Sequence, residues 1–190
     1  MGDDMQANDV QKTWFQHNPM VIMSYLSLHR KQEPLYGTKI AEVLGLSTGS
    51  VSMILRQLAS IGVVQANPVG RTVSYSVAAG HPTLTALRVF ENQLILEPLV
   101  SELKKVSRQI ILFGSCATGE DLVDSDIDLF VLTDEPGPIR EIMKQYEYER
   151  ELNQVIVDPM ELAIMETQDK VFLAEIRRGI VLWEAENEER

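Results

Sequence analysis

The sequence contains one cysteine among its 190 residues. This cysteine, Cys116, has no second cysteine with which to form an internal disulfide or a cysteine-based zinc site. The sequence also lacks any apolar run of about 20 residues, the length that a membrane-spanning helix needs. Its N-terminal stretch MGDDMQANDV is acidic and polar, unlike a secretory signal or a transit peptide. We therefore expect a cytoplasmic protein with no membrane partner.

Basic residues are too few to balance the acidic ones, and the deficit lies in one half of the chain. Residues 1–100 contain seven Lys or Arg and seven Asp or Glu, whereas residues 101–190 contain ten and twenty-one. The net charge of −11 therefore comes entirely from the second half. Such an asymmetry predicts two units with different partners.

Helical patterns and turn residues alternate in the first half of the chain, after a tail over residues 1–14 that we expect to be disordered. PMVIMSYLSLHR (19–30), GTKIAEVLGL (37–46) and STGSVSMILRQLASIG (47–62) each favour a helix. The expected helix caps and ends are Thr38, Gly45, Ser47 and Gly62. VVQANPVGRTVSYSV (63–77) favours two short strands around the turn residues Asn67, Pro68 and Gly70.

Residues 15–80 thus have the order helix, helix, helix, hairpin, and this segment resembles the winged helix-turn-helix domain of prokaryotic transcription regulators. The resemblance implies that the third helix enters the major groove of double-stranded DNA and that the hairpin contacts the backbone. The residues placed for DNA contact are Ser50, Ser52, Met53, Arg56 and Gln57 on the helix and Arg71 at the hairpin tip. The net charge of residues 18–80 is only +3, so the alternative is a module for protein contacts or dimerisation.

A connector over residues 81–105 follows, where TLTALRVFENQLILEPLVSELKKV favours a long helix with a kink or break at Pro98. Its leucines exceed the number that one small domain needs. This excess predicts that the helix also pairs with a second subunit, which would make the protein a homodimer.

The second unit is expected over residues 106–183, with an acidic tail over 184–190. QIILF (109–113), SDIDLFVL (125–132) and QVIVD (154–158) favour strands, whereas PIREIMKQYEYERELN (138–153) and MELAIMETQDKVFLAEIRRGIVLW (160–183) favour helices. The predicted fold class is α+β: a mostly helical first unit with a β-hairpin, and a small mixed α/β second unit.

Asp126 and Asp128 form the pattern in the second unit that points most directly to chemistry. Side chains at i and i+2 of a strand point to the same side, and two carboxylates side by side repel unless a cation lies between them. Hard oxygen ligands of this kind suit Mg²⁺ or Mn²⁺. Upstream, Gly114 and Ser115 end the preceding strand, where a glycine allows backbone N–H groups to approach a phosphate. The alternative is an acidic turn that only caps a strand, which is how we interpret Asp121 and Asp124.

Gly114-Ser115, ten intervening residues and then Asp126-Ile127-Asp128 resemble the signature of the polymerase-β-like nucleotidyltransferases, in particular the minimal nucleotidyltransferases of prokaryotes, some of which are antitoxins. The resemblance implies that Gly114 and Ser115 hold the phosphates of a nucleoside triphosphate. It also implies that Asp126 and Asp128 bind two Mg²⁺ ions. The family adds a third carboxylate from a later strand, and here Asn153 aligns with that position. Asp158 is the other candidate for a catalytic carboxylate, or else the N-cap of the last helical region.

Three functions follow from these patterns. The first is a Mg²⁺-dependent nucleotidyltransferase that uses a nucleoside triphosphate, with ATP as the expected donor, and an unidentified hydroxyl acceptor. The second is a DNA-binding transcription regulator whose second unit only senses nucleotide. The third is an antitoxin-like protein that binds a partner protein.

Overall fold

The structure is a computed structural model that describes residues 18–30, 34–78 and 80–186. Over these residues the protein is an α+β structure with two sheets. The predicted tail over residues 1–14 lies outside the described residues. The elements of the first unit are α1 Asn18–Leu28, β1 Leu35–Tyr36, α2 Gly37–Leu44, α3 Thr48–Ser60, β2 Gln65–Val69 and β3 Thr72–Ser76.

The caps of α2 and α3 test the local predictions. Gly45 ends α2 at φ +64°, and the Ser47 side chain caps α3 by accepting a hydrogen bond from the Ser50 backbone N–H at 3.1 Å. Both positions are as predicted. Thr38 is not a cap, because α2 begins one residue earlier and the position before it is Tyr36, which makes no side-chain cap.

The first sheet has the strand order β1-β3-β2. The hairpin turns at Gly70 and Arg71, whereas Asn67 and Pro68, predicted to be turn residues, lie within β2. Proline has no backbone N–H to give to a neighbour, and β2 tolerates it because it is an edge strand.

The long helix α4, Pro82–Leu103, runs through Pro98 without a break. Leu84 at its start packs in the core of the first unit, and Leu96, Leu99 and Leu103 pack in the core of the second. Two cores therefore take up these four leucines, and the expected homodimer stays a prediction without their support.

The second unit has a four-stranded sheet of order β6-β5-β4-β7, in which β5 and β6 are parallel and the other pairs antiparallel. Its elements are β4 Gln109–Phe113, α5 Gly114–Thr118, β5 Ile127–Leu132, α6 Pro136–Met143, β6 Leu152–Val157, α7 Pro159–Gln168, α8 Lys170–Ile176 and β7 Ile180–Glu184. The helix predicted over 138–153 ends at Met143, and the segment around Val181 forms a strand, where a helix was predicted. Glu184, the first residue of the predicted acidic tail, ends that strand, and residues 187–190 lie outside the described part.

The two faces of this sheet are covered differently. Alternating side chains of β4 and β5, such as Leu112 and Leu129, pack on one face against α4 and α6. Phe113 and Phe130 pack on the other face, with partners from α7 and α8. Asp128 follows the strand alternation and lies on this second face.

Within the described residues, the helices are too short or too polar to cross a lipid bilayer.

Candidate active site

The structure brings the side chains of Asp126 and Asp128 to the same side. Asp126 directly precedes β5 and Asp128 is its second residue. One amide nitrogen, Asn153 Nδ2, lies 3.2 Å from Asp126 Oδ2 and 3.3 Å from Asp128 Oδ1 and donates to both. Asn153 reaches this point because it pairs with Asp128 in the parallel register of β5 and β6.

Gly114 lies directly against this pair. It follows Phe113, which is opposite Asp128 in the antiparallel pairing of β4 and β5. Its φ of +66° is in the left-handed region, and a methyl group at its Cα would overlap Asp128 Oδ2. The conformation and the close approach both require glycine, so the Gly-Ser turn and the acidic pair form one site.

Cys116, which follows the Gly-Ser turn, makes a hydrogen bond to the residue Asp126 of the acidic pair. Its side chain is fully buried, and Sγ donates to the backbone oxygen of Asp126 at 3.3 Å. Burial raises the pKa of the Cys116 thiol to about 11, so the thiol is neutral at pH 7 and a poor nucleophile. Cys116 therefore packs in the core beneath the loop that carries Asp126.

Asp121 is the centre of a buried polar cluster that the sequence analysis missed. Its Oδ2 accepts from Arg88 Nη2 at 2.5 Å and from Arg150 Nη1 at 2.8 Å, and its side chain is inaccessible to solvent. Arg88 also pairs with Glu91, so the cluster contains two arginines and two carboxylates and its formal net charge is zero. Asn92 accepts from both arginines and donates to the backbone oxygen of Cys116 at 3.0 Å. The interpretation of Asp121 as a turn acid was therefore wrong.

This cluster also joins the first unit to the site. Arg30, which follows α1, donates to the backbone oxygen of Asp121 at 2.9 Å and to that of Glu120. Both carbonyls belong to the loop between the Gly-Ser turn and Asp126. The sequence offers no signal for this contact, because the two segments are ninety residues apart.

Asp158 is not part of the site. Its carboxylate accepts hydrogen bonds from the backbone N–H groups of Met160 and Glu161, both at 2.8 Å. The Glu161 side chain in turn accepts a hydrogen bond from the Asp158 backbone N–H, and together these bonds form a capping box at the start of α7. Asp158 follows Val157, which pairs with Leu132 at the opposite end of β5 from Asp128. The position next to the acidic pair belongs to Asn153.

The oxygen donors at this end of the sheet fit one divalent cation. Among the described residues, three or more Asp, Glu, His or Cys side chains nowhere come together as a ligand set. Mg²⁺ and Mn²⁺ take hard oxygen ligands. The carboxylates of Asp126 and Asp128 are such ligands, and Asn153 would add its amide oxygen if its side chain rotated by a half-turn about χ2. Phosphate oxygens from a ligand would complete such a shell.

The residues expected to contact DNA lie on a different part of the molecule. Ser52, Met53, Arg56 and Gln57 are exposed on α3, and Arg71 is exposed at the hairpin turn. Ser50 is half-buried and belongs to the N-cap, where its hydroxyl accepts from Ser47 Oγ at 2.8 Å.

Comparison with known proteins relates the second unit to a family of enzymes. Residues 96–188 match the family model described as "Polymerase beta, Nucleotidyltransferase". The second unit is therefore similar to a polymerase-β-type nucleotidyltransferase domain. The match starts within α4, before the boundary predicted at residue 106, and the last turns of α4 do pack in the core of this domain.

A solved structure is distantly similar to this chain. The solved structure, described as "a putative nucleotidyltransferase from Sulfolobus solfataricus", aligns with 53% of this chain and 90% of that chain, at 16% identity and a TM-score of 0.34. The search of curated proteins gave no match. Nucleotidyltransferase domains in general use divalent metals and nucleoside triphosphates.

Proposed function

We propose that the nucleotidyltransferase domain binds a nucleoside triphosphate, with ATP as the expected donor, as its Mg²⁺ complex and transfers the nucleotidyl group to a hydroxyl acceptor. The observation that carries the proposal is the convergence of Asp126 and Asp128 on one side, with Gly114 packed against Asp128. Asp126, Asp128 and the amide oxygen of Asn153 would hold the cation. A bound Mg²⁺ supplies charge neutralisation of the phosphates and polarises the oxygens it contacts.

Each motif has a separate task in this reaction. The Gly114-Ser115 turn offers backbone N–H groups to the phosphate chain, which can approach closely because Gly114 has no side chain. The acceptor oxygen forms a bond to the α-phosphorus, the bond from that phosphorus to the bridging oxygen breaks, and pyrophosphate leaves. The acceptor proton goes to a carboxylate of the acidic pair or to water, since the amide of Asn153 is not a base.

The same position supports a second candidate function, a nucleotide sensor with slow transfer or none. Where the family resemblance implies a third carboxylate, this chain has Asn153, which adds no negative charge and accepts no proton. A site with two carboxylates retains affinity for a Mg²⁺–triphosphate complex. The loss falls on the step that removes the acceptor proton.

We further propose that the first unit binds double-stranded DNA through α3 and the β2–β3 hairpin. Its order of helix, helix, helix and hairpin, with the exposed Arg56 and Arg71, supports this proposal. The contacts of Arg30 with the backbone oxygens of Glu120 and Asp121 would connect a DNA-bound first unit with the loop that carries Asp126. A homodimer and a protein acceptor or partner also remain predictions.

Incubation with ATP labelled at the α-phosphate tests transfer. The purified protein is mixed with Mg²⁺ and with separate acceptors: a DNA oligonucleotide, an RNA and a cell lysate. The enzyme leaves covalent label on one acceptor, and Asp128→Asn removes it. Asp124→Asn, the same charge change at an exposed position in the same loop, is the control. ATP binding without label on any acceptor supports the sensor, and no ATP binding contradicts both candidates.

DNA binding is tested by a gel shift at low salt with random-sequence duplex DNA. Arg56→Ala and Arg71→Ala should each weaken binding and reduce its salt dependence, because each removes one phosphate-contacting charge. Arg140→Ala, an exposed arginine of the other unit, is the charge-matched control. A wild-type protein that does not shift DNA at low salt would identify the first unit as an interaction module.

A further inference from the structure

The carboxylates lie on the sheet face that is incompletely covered. The opposite face is packed by α4 and α6 around Leu129 and Ile139, both of which are fully buried. On the carboxylate face, α7 contributes no fully buried residue, and α8 contributes Leu173 and Ile176. A ligand that extends from the acidic pair along its own face of the sheet would therefore lie on the α7–α8 side.

The corner between α7 and α8 lies at the site end of the sheet. α7 starts beyond Val157, at the far end of β6, and packs Leu162 and Met165 over the sheet as it returns. Phe172, in the first turn of α8, then makes an edge-to-face contact with Phe113, with ring centroids 5.9 Å apart. Phe113 is the residue before Gly114 and the strand partner of Asp128.

Phe172 presents an aromatic surface beside the site. Its side chain is 39% exposed although it lies over a phenylalanine of the core. An edge-to-face contact occupies part of the ring and leaves a π-face available. Flat aromatic ligands such as nucleobases stack on such faces.

A cavity of about 420 Å³ opens next to this ring. It is open to solvent, and its lining comes entirely from residues 167–172 and 175 at the corner of α7 and α8. Its polar lining includes Thr167, Gln168 and Lys170, and Asp169 and Glu175 also line it, so the charged side chains sum to −1. A polyanionic triphosphate is disfavoured there, whereas a neutral base with donors and acceptors on its edges is compatible with the lining.

We propose that this cavity holds the nucleobase of the bound nucleotide, stacked on Phe172, while the phosphates lie at Gly114 and the acidic pair. The inference rests on the proposed nucleotide site and adds a base subsite to it. Phe172 then contributes affinity for the base and none for the phosphate chain.

The test compares two probes, Mg²⁺–ATP and Mg²⁺–triphosphate without a nucleoside, by calorimetric titration. Phe172→Ala should weaken ATP binding about tenfold, as the loss of one base–aromatic stack does, and leave triphosphate binding unchanged. Phe172→Trp keeps a stacking surface and should restore ATP affinity. Met160→Ala, at a 74% exposed position of α7 that does not line the cavity, is the control and should change neither affinity.

Other outcomes separate this inference from the proposed function. Equal weakening of both probes by Phe172→Ala, or no weakening of ATP, would overturn the base subsite and leave the nucleotide site intact. Equal wild-type affinity for ATP and triphosphate would overturn it too, because the base would then contribute nothing. A wild-type protein that binds neither probe contradicts the proposed function and this inference together.

Discussion

Asn153 lies opposite Asp128 in the parallel pairing of β6 and β5, and its amide nitrogen is 3.3 Å from Asp128 Oδ1. The same nitrogen is 3.2 Å from Asp126 Oδ2. An amide donor therefore stabilises two neighbouring carboxylates in a place where a third carboxylate would repel them. The amide therefore helps the site to fold without a bound metal. It also leaves the site with two negative charges, where a third carboxylate would give three, to hold a metal ion.

Replacing Asn153 by Asp should restore a third carboxylate. We expect Asn153→Asp to lower the free energy of unfolding without metal by about 1 kcal/mol through like-charge repulsion, with recovery on addition of Mg²⁺. Nucleotidyl transfer should rise on the order of 100-fold, the size of a general-base contribution. Gln154→Asp, the same charge change at the exposed next position, is the control. A rate that Asn153→Asp leaves unchanged would show that the amide does not limit transfer.

Gly114→Ala tests the close approach of the Gly-Ser turn to the acidic pair. The left-handed φ and the overlap with Asp128 should cost about 2 kcal/mol of stability and abolish Mg²⁺–ATP binding, measured by chemical denaturation and calorimetry. Gly137→Ala is the matched control, because Gly137 lies in α6 with open space around its Cα. It should be neutral or stabilising by up to about 1 kcal/mol. Wild-type ATP affinity in Gly114→Ala would contradict the proposed role of the turn.

The buried cluster around Asp121 predicts unequal costs for two arginines. Arg150→Gln leaves Asp121 buried with one arginine fewer, and its unfolding free energy should fall by about 3 kcal/mol. Arg108→Gln breaks a pair with Asp134 in which both side chains are more than half exposed, and should cost below about 1 kcal/mol. Urea denaturation measures both values. Equal costs would mean that Asp121 does not depend on Arg150.

The pKa of Cys116 gives a pH dependence with a defined sign. Burial raises this pKa from an ordinary 9.0 to about 11. Between these values the thiol loses its proton in the unfolded protein before it does so in the folded one. The contribution of the protonated thiol to the free energy of unfolding is therefore fully present below pH 9 and is lost as the pH rises towards 11. The stability difference between wild type and Cys116→Ala should shrink by about 2 to 3 kcal/mol between pH 8 and pH 11. A constant difference would show that the thiol ionises as easily in the folded protein.

The sequence contains enough information to predict the parts of this fold that local rules govern. Ser47 and Gly45 have cap positions that side-chain chemistry and backbone freedom dictate. Asp126 and Asp128 share one side because strand alternation requires it, and the alignment of Asn153 with the third carboxylate agrees with the strand register.

Features that depend on distant contacts could not be predicted in this way. Asp121 resembles any loop acid until Arg88 and Arg150, from two other segments, enclose it. The sequence pattern predicts a helix for IVLWE, and this segment forms the strand β7 through its pairing with β4. Two-residue β1 is too short to show any alternation.

Titration with Mn²⁺, followed by the electron paramagnetic resonance of the free ion, tests most directly whether Asp126 and Asp128 hold a divalent cation together. The wild type should bind about one Mn²⁺ in the presence of ATP, and Asp126→Asn and Asp128→Asn should each weaken that binding by at least about tenfold, since either change removes a ligand charge. Asp124→Asn should leave it unchanged. Binding by the double variant Asp126→Asn/Asp128→Asn at the wild-type level would contradict the metal site and the transferase function built on it.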